Sequence, residues 1–185
     1  MVVSRAEYKL KNACEAFGFD FRGKTVLDIG SSTGGFTEYA LSRGAKKVVA
    51  VEKGTRQMKA PLRFDQRVEL HEKADFFDFL TDEEIDVVLA DVSFVSLTKV
   101  LAYAKMLLSR RKTVEFLVML KPQFEARETE LNRGVVKNER IRREIIKRFE
   151  MWLRNNGFLV KNKRDNSLAG RQGNLERFYY LVLAK

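Results

Sequence analysis

The segment DIGSSTGGFT (28–37) places an aspartate two positions ahead of a glycine turn. Gly30 lets the chain reverse close to a bound molecule, and Gly34 and Gly35 allow close backbone approach. Glu52 follows 22 residues after Gly30, at the end of the apolar run KVVAVE. A carboxylate there can accept hydrogen bonds from both hydroxyls of a ribose. Asp75 ends a third such segment and can meet the edge of an adenine. Asp28 suits a ligand carrying ammonium and sulfonium charges. It suits a pyrophosphate poorly, because like charges repel. Each acid taken singly also fits a solvated strand end. Three acids at three successive strand ends, with the turn, point to S-adenosyl-L-methionine. The expected cofactor set is Asp28, Gly30, Ser31, Ser32, Thr33, Gly34, Gly35, Phe36, Glu52, Lys53 and Asp75.

A second segment just before it, GFDFRGKT (18–25), matches the phosphate-loop pattern G-x-x-x-x-G-K-[ST] at every fixed position. Its surroundings are reversed. A phosphate loop follows a strand and opens a helix, so that helix amides face phosphate. Here a helix precedes the loop and the apolar run VLDIG follows at once, which makes Gly18 and Gly23 turn residues. In DIGSSTGGFT the order is strand, turn, helix. Ser32 stands where a dehydrogenase fingerprint needs glycine.

The elements that must carry these residues alternate. A helix is expected over 4–17, with Ala6, Leu10, Ala13 and Phe17 on one face, Ser4 and Glu7 as a capping box and Gly18 at its end. Strands are expected over 25–30, 47–52, 67–74, 85–92 and 114–120. Helices are expected over 35–43, 56–60 (stopped by Pro61), 96–109 and 139–155. One further helical turn is expected at Thr81–Glu84 from a capping-box pattern. The tail reads as two strands around a glycine-bearing loop. Alternating strands and helices imply an α/β, Rossmann-like seven-stranded sheet. That sheet is mostly parallel, with helices on both faces, and the final hairpin is antiparallel at one edge. Ligands of such sheets bind beyond the carboxyl ends of the strands.

The chain has 185 residues, with 35 Lys+Arg against 25 Asp+Glu, a formal charge of +10. That excess favours a polyanionic partner, RNA before an anionic membrane. One cysteine, Cys14, excludes an internal disulfide, and one histidine, His71, excludes a His-pair metal site. No metal is expected. No signal peptide is evident, and no apolar run reaches about 18 residues, so the expected location is cytoplasmic. With two prolines and no low-complexity linker, residues 1–185 read as one domain.

SRAEYKL (4–10), DIGSSTGGFT, ADVSF (90–94), LKPQFEA (120–126), NRGVVKN (132–138) and SLAGRQGNLE (167–176) together resemble the motifs of the FtsJ-type RNA methyltransferases. The nearest subgroup is the TlyA type, often called hemolysins. The resemblance implies 2′-O-methylation of RNA ribose, with ribosomal RNA and cytidine as the target. It also implies a catalytic tetrad, which falls on Lys9, Asp91, Lys121 and Glu176. Asp91 also borders the cofactor. A ribose hydroxyl is a weak nucleophile that needs proton removal or charge stabilisation. Lys121 takes the central role, oriented by Asp91 and Glu176, and Lys9 adds positive potential. TlyA-type relatives carry a small N-terminal RNA-binding domain, which this chain, beginning at SRAEYKL, is expected to lack.

RNA contacts are expected from Ser4, Arg5 and Lys9, from the stripe Arg140, Arg143 and Lys147, and from Lys161, Lys163 and Arg164. Such backbone contacts position RNA without choosing its sequence. Two other readings stay open at this point: a non-catalytic RNA-binding module, and a hemolysin-like membrane-active protein.

Overall fold

In a computed structural model of the chain, residues 5–109, 113–168, 170 and 173–184 are described. Helix α1 spans Arg5–Phe17 and strand β1 Thr25–Ile29; α2 is Gly35–Ser42 and β2 Lys47–Glu52. Then come α3 (Ala60–Arg63), β3 (Val68–Glu72), β4 (Val87–Ala90), α4 (Leu97–Leu107) and β5 (Glu115–Leu120). A single turn, α5 (Pro122–Glu125), leads to a small hairpin, β6 (Leu131–Asn132) and β7 (Val135–Val136). Helix α6 (Glu139–Asn155), β8 (Phe158–Asp165) and β9 (Arg177–Leu183) complete the order.

Seven strands form one sheet in the order β3-β2-β1-β4-β5-β9-β8. The first five run parallel, and β9 is antiparallel to both β5 and β8. From β1 the chain winds outward to β3, then returns and winds the other way through β4 and β5. The gap between β1 and β4 is therefore the switch point, where ligands of open α/β sheets bind.

Strands that are apolar on both sides need cover on both sides. Leu97, Leu101 and Ala104 of α4 and Ile146, Phe149 and Leu153 of α6 pack on Leu27, Ile29, Val88 and Phe116. On the other face Leu10 and Ala13 of α1 and Phe36 and Ala40 of α2 meet Val26, Val48, Leu117 and Phe178. Each such buried side chain contributes about 1.5–3 kcal/mol.

Helix α1 ends as its sequence predicts: Gly18 is left-handed (φ +61°), and the Phe19 N–H donates to the Cys14 carbonyl at 3.0 Å. The expected cap at Ser4 lies outside the described residues. GFDFRGKT is the turn between α1 and β1, not the start of a helix.

Two local expectations fail. Pro61 does not stop a helix over 56–60; it lies in the first turn of α3, where its missing N–H leaves no hydrogen bond unmade. Thr81 forms no helical cap; its Oγ1 accepts from the Glu83 N–H at 3.1 Å in a local turn. The helical turn of this region lies earlier, at Phe76–Asp78, capped by Asp75.

Gly34 caps α2 at φ +90°, and a Cβ there would collide with Leu62 Cδ2. Gly34→Ala is expected to destabilise the protein by about 2 kcal/mol through the left-handed backbone and the contact together. Urea unfolding measures it directly.

Candidate active site

The strand registers, continued by one residue, put the acids on one rim. Ile29 pairs with Val51 and with Ala90, so Gly30 lies between Glu52 and Asp91. Leu120 pairs with Arg177, so Lys121 lies across from Glu176. Neighbouring strands are about 4.8 Å apart, and five residues at the ends of five strands therefore share one sheet edge. Gly30 is required there: at φ +78°, a Cβ would sit 3.1 Å from the Asp91 carbonyl oxygen.

Asp28 is fully buried beneath α2. Its Oδ2 accepts from Thr37 Oγ1 at 2.6 Å, and its Oδ1 has no partner. Burial pushes its carboxyl up to about 7, and the nearby charges of Asp91 and Glu52 add to the rise. Glu52 is set by the loop around it. Its Oε2 accepts from the Ser32 N–H at 2.8 Å and its Oε1 from the Gly54 N–H at 2.7 Å. Lys53 reaches Asp75 Oδ2 at 2.9 Å and holds that carboxyl below its usual range, helped by the Phe77 N–H. Phe36 departs from expectation. Its ring lies in the core, 6.0 Å from that of Phe178, because it opens the buried face of α2.

The four residues of the implied tetrad form two pairs. Lys121 Nζ stands 2.7 Å from Asp91 Oδ1 as an ion pair whose angles do not make a hydrogen bond, and donates to Ser93 Oγ at 2.8 Å. Lys9 donates to Glu176 Oε2, with 9% and 4% of the two residues exposed. Asn166 Nδ2 donates to the same Glu176 oxygen at 3.2 Å. Gly170 closes over Glu176, since a Cβ there would sit 2.5 Å from Oε1.

Among the described residues, the buried side-chain polar atoms without a hydrogen-bond partner are Asp28 Oδ1, Ser31 Oγ, Asp91 Oδ1 and Gln123 Oε1. Folded proteins pair nearly all such groups. Here they fall in β1, in the glycine turn that follows it, and just after β4 and β5. This is the pattern of a surface built for a polar ligand, and its carboxylates and glycine cradle fit S-adenosyl-L-methionine.

The expected RNA contacts divide. Lys9 is buried against Glu176, so its charge is spent inside the protein. Ser4 lies outside the described residues, and Arg5 is exposed at the start of α1. Arg140, Arg143 and Lys147 are exposed on α6; Arg140 pairs with Glu144 and Arg143 with Glu139. Lys161 and Arg164 are exposed on the edge strand β8, where Lys163 pairs with Glu150.

Residues 2–183 match the model of the FtsJ-like methyltransferases. The chain belongs to the FtsJ-like methyltransferase family. Its methyl donor is S-adenosyl-L-methionine. It is 37% identical over 182 residues to the 23S rRNA (cytidine-2′-O)-methyltransferase TlyA of Campylobacter jejuni, covering 97% of this chain and 70% of that one. Hemolysin A of Brachyspira hyodysenteriae is 35% identical over 187 residues, 98% of this chain and 77% of the relative. A solved Streptococcus thermophilus homologue with a provisional hemolysin name superposes at a TM-score of 0.93 and 32% identity. That match covers 99% of this chain and 67% of the other. No helix among the described residues is long and apolar enough to cross a membrane.

Several residues around this FtsJ-like site escape a reading of motif types alone. Ser93 lies inside ADVSF and Gln123 inside LKPQFEA; Ser93 accepts from Lys121, 28 positions away, and Gln123 keeps a buried oxygen without a partner. Phe94 is 93% exposed at φ +64°, its ring 5.2 Å from that of Phe124. Asn174 ties the β6–β7 hairpin to the Glu176 loop, accepting from the Val136 N–H and donating to the Gly134 carbonyl, both at 3.1 Å. Arg133 and Gly134 of NRGVVKN form its two-residue turn, both at positive φ, and the glycine is the sequence signal for that hairpin.

Proposed function

We propose that residues 1–185 act as one catalytic domain that methylates the ribose 2′-oxygen of ribosomal RNA, at cytidine, in the cytoplasm. The observation that carries this reading is the shared rim, where a cofactor cradle adjoins a lysine held between Asp91 and Ser93. The names of the Campylobacter and Mycobacterium relatives support the target.

In this reading Asp28 and Ser31 hold the amino-acid end of the cofactor, Glu52 its ribose, and Asp75 with Lys53 its adenine side. When bound, S-adenosyl-L-methionine supplies an electrophilic methyl group on a sulfonium sulfur. Lys121 Nζ has three hydrogen-bonding directions. Ser93 accepts along one, Asp91 holds the nitrogen as an ion pair, and a remaining direction holds the 2′-hydroxyl. Lys121 stabilises the charge that develops on that oxygen and, as the neutral amine, takes its proton. Holding the reacting atoms in line contributes about 7–11 kcal/mol. The Lys9–Glu176 pair closes the far side of the rim. Phe94 and Phe124 offer an aromatic surface for the base beside it, and stacking of this kind contributes about 1–3 kcal/mol. The exposed Arg5, Arg140, Arg143, Lys147, Lys161 and Arg164 draw in the backbone.

The test is transfer of labelled methyl from S-adenosyl-L-methionine to ribosomal RNA and to assembled subunits. Incorporation into RNA, with none into a DNA strand of the same sequence, is the expected result. Label on the DNA strand would reject the 2′-oxygen.

Asp28 adds a pH signature. Its folded-state carboxyl titrates near 7 against an ordinary 3.8. The folded protein therefore binds a proton that the unfolded chain releases, and cofactor-free stability falls as pH rises between these values. A cationic ligand favours the ionised form. Cofactor affinity is therefore expected to rise with pH up to about 7 and then level off, and Asp28→Asn should flatten the profile. Calorimetry across pH measures both.

A further inference from the structure

LKPQFEA contains a half-buried carboxylate, Glu125, that the reaction itself does not use. Its Oε2 accepts from Ser96 Oγ at 2.7 Å and its Oε1 from the Leu97 N–H at 2.5 Å. Ser96 is the N-cap of α4, where its Oγ accepts from the Thr98 N–H at 3.2 Å. Glu125 therefore extends that cap from another segment and fixes the end of the loop that begins at Asp91. Glu125 also ends α5, the single turn that begins one residue after Lys121. Pro122 opens that turn, and the Phe124 N–H closes it on the Lys121 carbonyl at 2.9 Å. The Asp91–Ser96 loop and the Lys121–Glu125 turn are thus joined at both ends. Lys121 holds Asp91 and Ser93 at one end, and Glu125 holds Ser96 and Leu97 at the other. The Phe94–Phe124 contact lies between them.

We propose that Glu125 is a positioning residue for Lys121, a clamp that holds the Lys121 turn on the Asp91 loop. Without it the two loops keep the Phe94–Phe124 contact and the contacts at the reacting end but no hydrogen bond at the far end, and Lys121 loses its fixed distance to Asp91 and Ser93. A 1 Å displacement of a reacting group can cost about 100-fold in rate. The cofactor contacts proposed on β1 and β2 lie on other strands and are unaffected.

This inference rests on the proposed role of Lys121, so its test needs a readout independent of turnover. Glu125→Ala is expected to lower kcat about 10–100-fold, leaving the calorimetric affinity for S-adenosyl-L-methionine within about twofold. Glu125→Gln can still accept from the Leu97 N–H and meet the Ser96 hydroxyl, and should recover most of the loss. In ¹⁵N-lysine NMR, the Lys121 ammonium signal (identified by its absence in Lys121→Arg) should shift or broaden in the alanine variant and return in the glutamine variant. Should Glu125→Ala fail to fold, Ser96→Ala removes the other half of the clamp and should shift the same signal. An unchanged kcat and an unchanged Lys121 signal in a folded clamp-less variant would overturn the proposal. So would a glutamine variant as slow as the alanine one. If the parent chain transfers no methyl, the functional reading fails, and the lysine signal still decides the clamp.

Discussion

Replacing Lys121 with alanine is expected to lower kcat for methyl transfer by about 10²–10⁴-fold, the usual contribution of a positioned acid–base group. The dissociation constant for S-adenosyl-L-methionine should stay within about twofold, because the cofactor cradle belongs to β1, β2 and the loop after β3. Lys121→Arg should not rescue activity. A guanidinium is broader than an ammonium and does not lose its proton in proteins. It cannot occupy the space 2.7 Å from Asp91 and 2.8 Å from Ser93 and still receive a proton from the substrate. Single-turnover kinetics on the labelled RNA, with calorimetry of cofactor binding, separate the two effects. Loss of both together would mean that Lys121 serves the cofactor rather than the hydroxyl.

The second large effect falls on stability. Glu176→Ala leaves Lys9 buried without its partner and removes the acceptor of Asn166. Breaking a buried ion pair in this way costs about 3–5 kcal/mol. For a chain of this size that lowers Tm by roughly 6–20 °C, at about 2–4 °C per kcal/mol. The double variant Lys9→Met, Glu176→Leu replaces the pair by apolar side chains, and such swaps are often neutral or stabilising. It should recover most of the lost Tm while leaving methyl transfer impaired. A double variant that recovers both would reduce the pair to a structural role. Thermal unfolding and the transfer assay on the same preparations decide between these outcomes.

Much of the fold is legible because its physics is local. The buried strands announce themselves as short apolar runs, and α6 begins and ends where its apolar period places it. The choice between the two neighbouring glycine loops follows from context, since only one follows a strand and opens a helix. Short elements are harder. Pro61 is compatible with either the end or the first turn of a helix, and the packing of Leu62 near Gly34 settles it. Thr81 can cap a helix or a tight turn, and no apolar face follows it to hold a helix. The α5 turn and the β6–β7 hairpin are too short to show a period.

At the site, motif order points to Lys9, Asp91, Lys121 and Glu176 as a set, but not to their division into two pairs. Lys9 and Glu176 are 167 positions apart, and no local pattern links them. A separation of 29 positions likewise hides the clamp from Glu125 to Ser96, and the long-range pairing also hides the burial that turns Lys9 from an RNA contact into an internal charge. Phe36 is a similar case. It sits in the cofactor motif, yet the core claims its ring.

The central claim is that methyl transfer ends on a ribose oxygen, and alkaline hydrolysis of the labelled RNA tests it most directly. Alkali cleaves RNA through attack of the 2′-oxygen on the neighbouring phosphate, and a 2′-O-methyl group blocks that attack. The account predicts label in alkali-stable dinucleotides carrying cytidine at the 5′ position, absent with Lys121→Ala. Label released in mononucleotides would place the methyl on a base and contradict it.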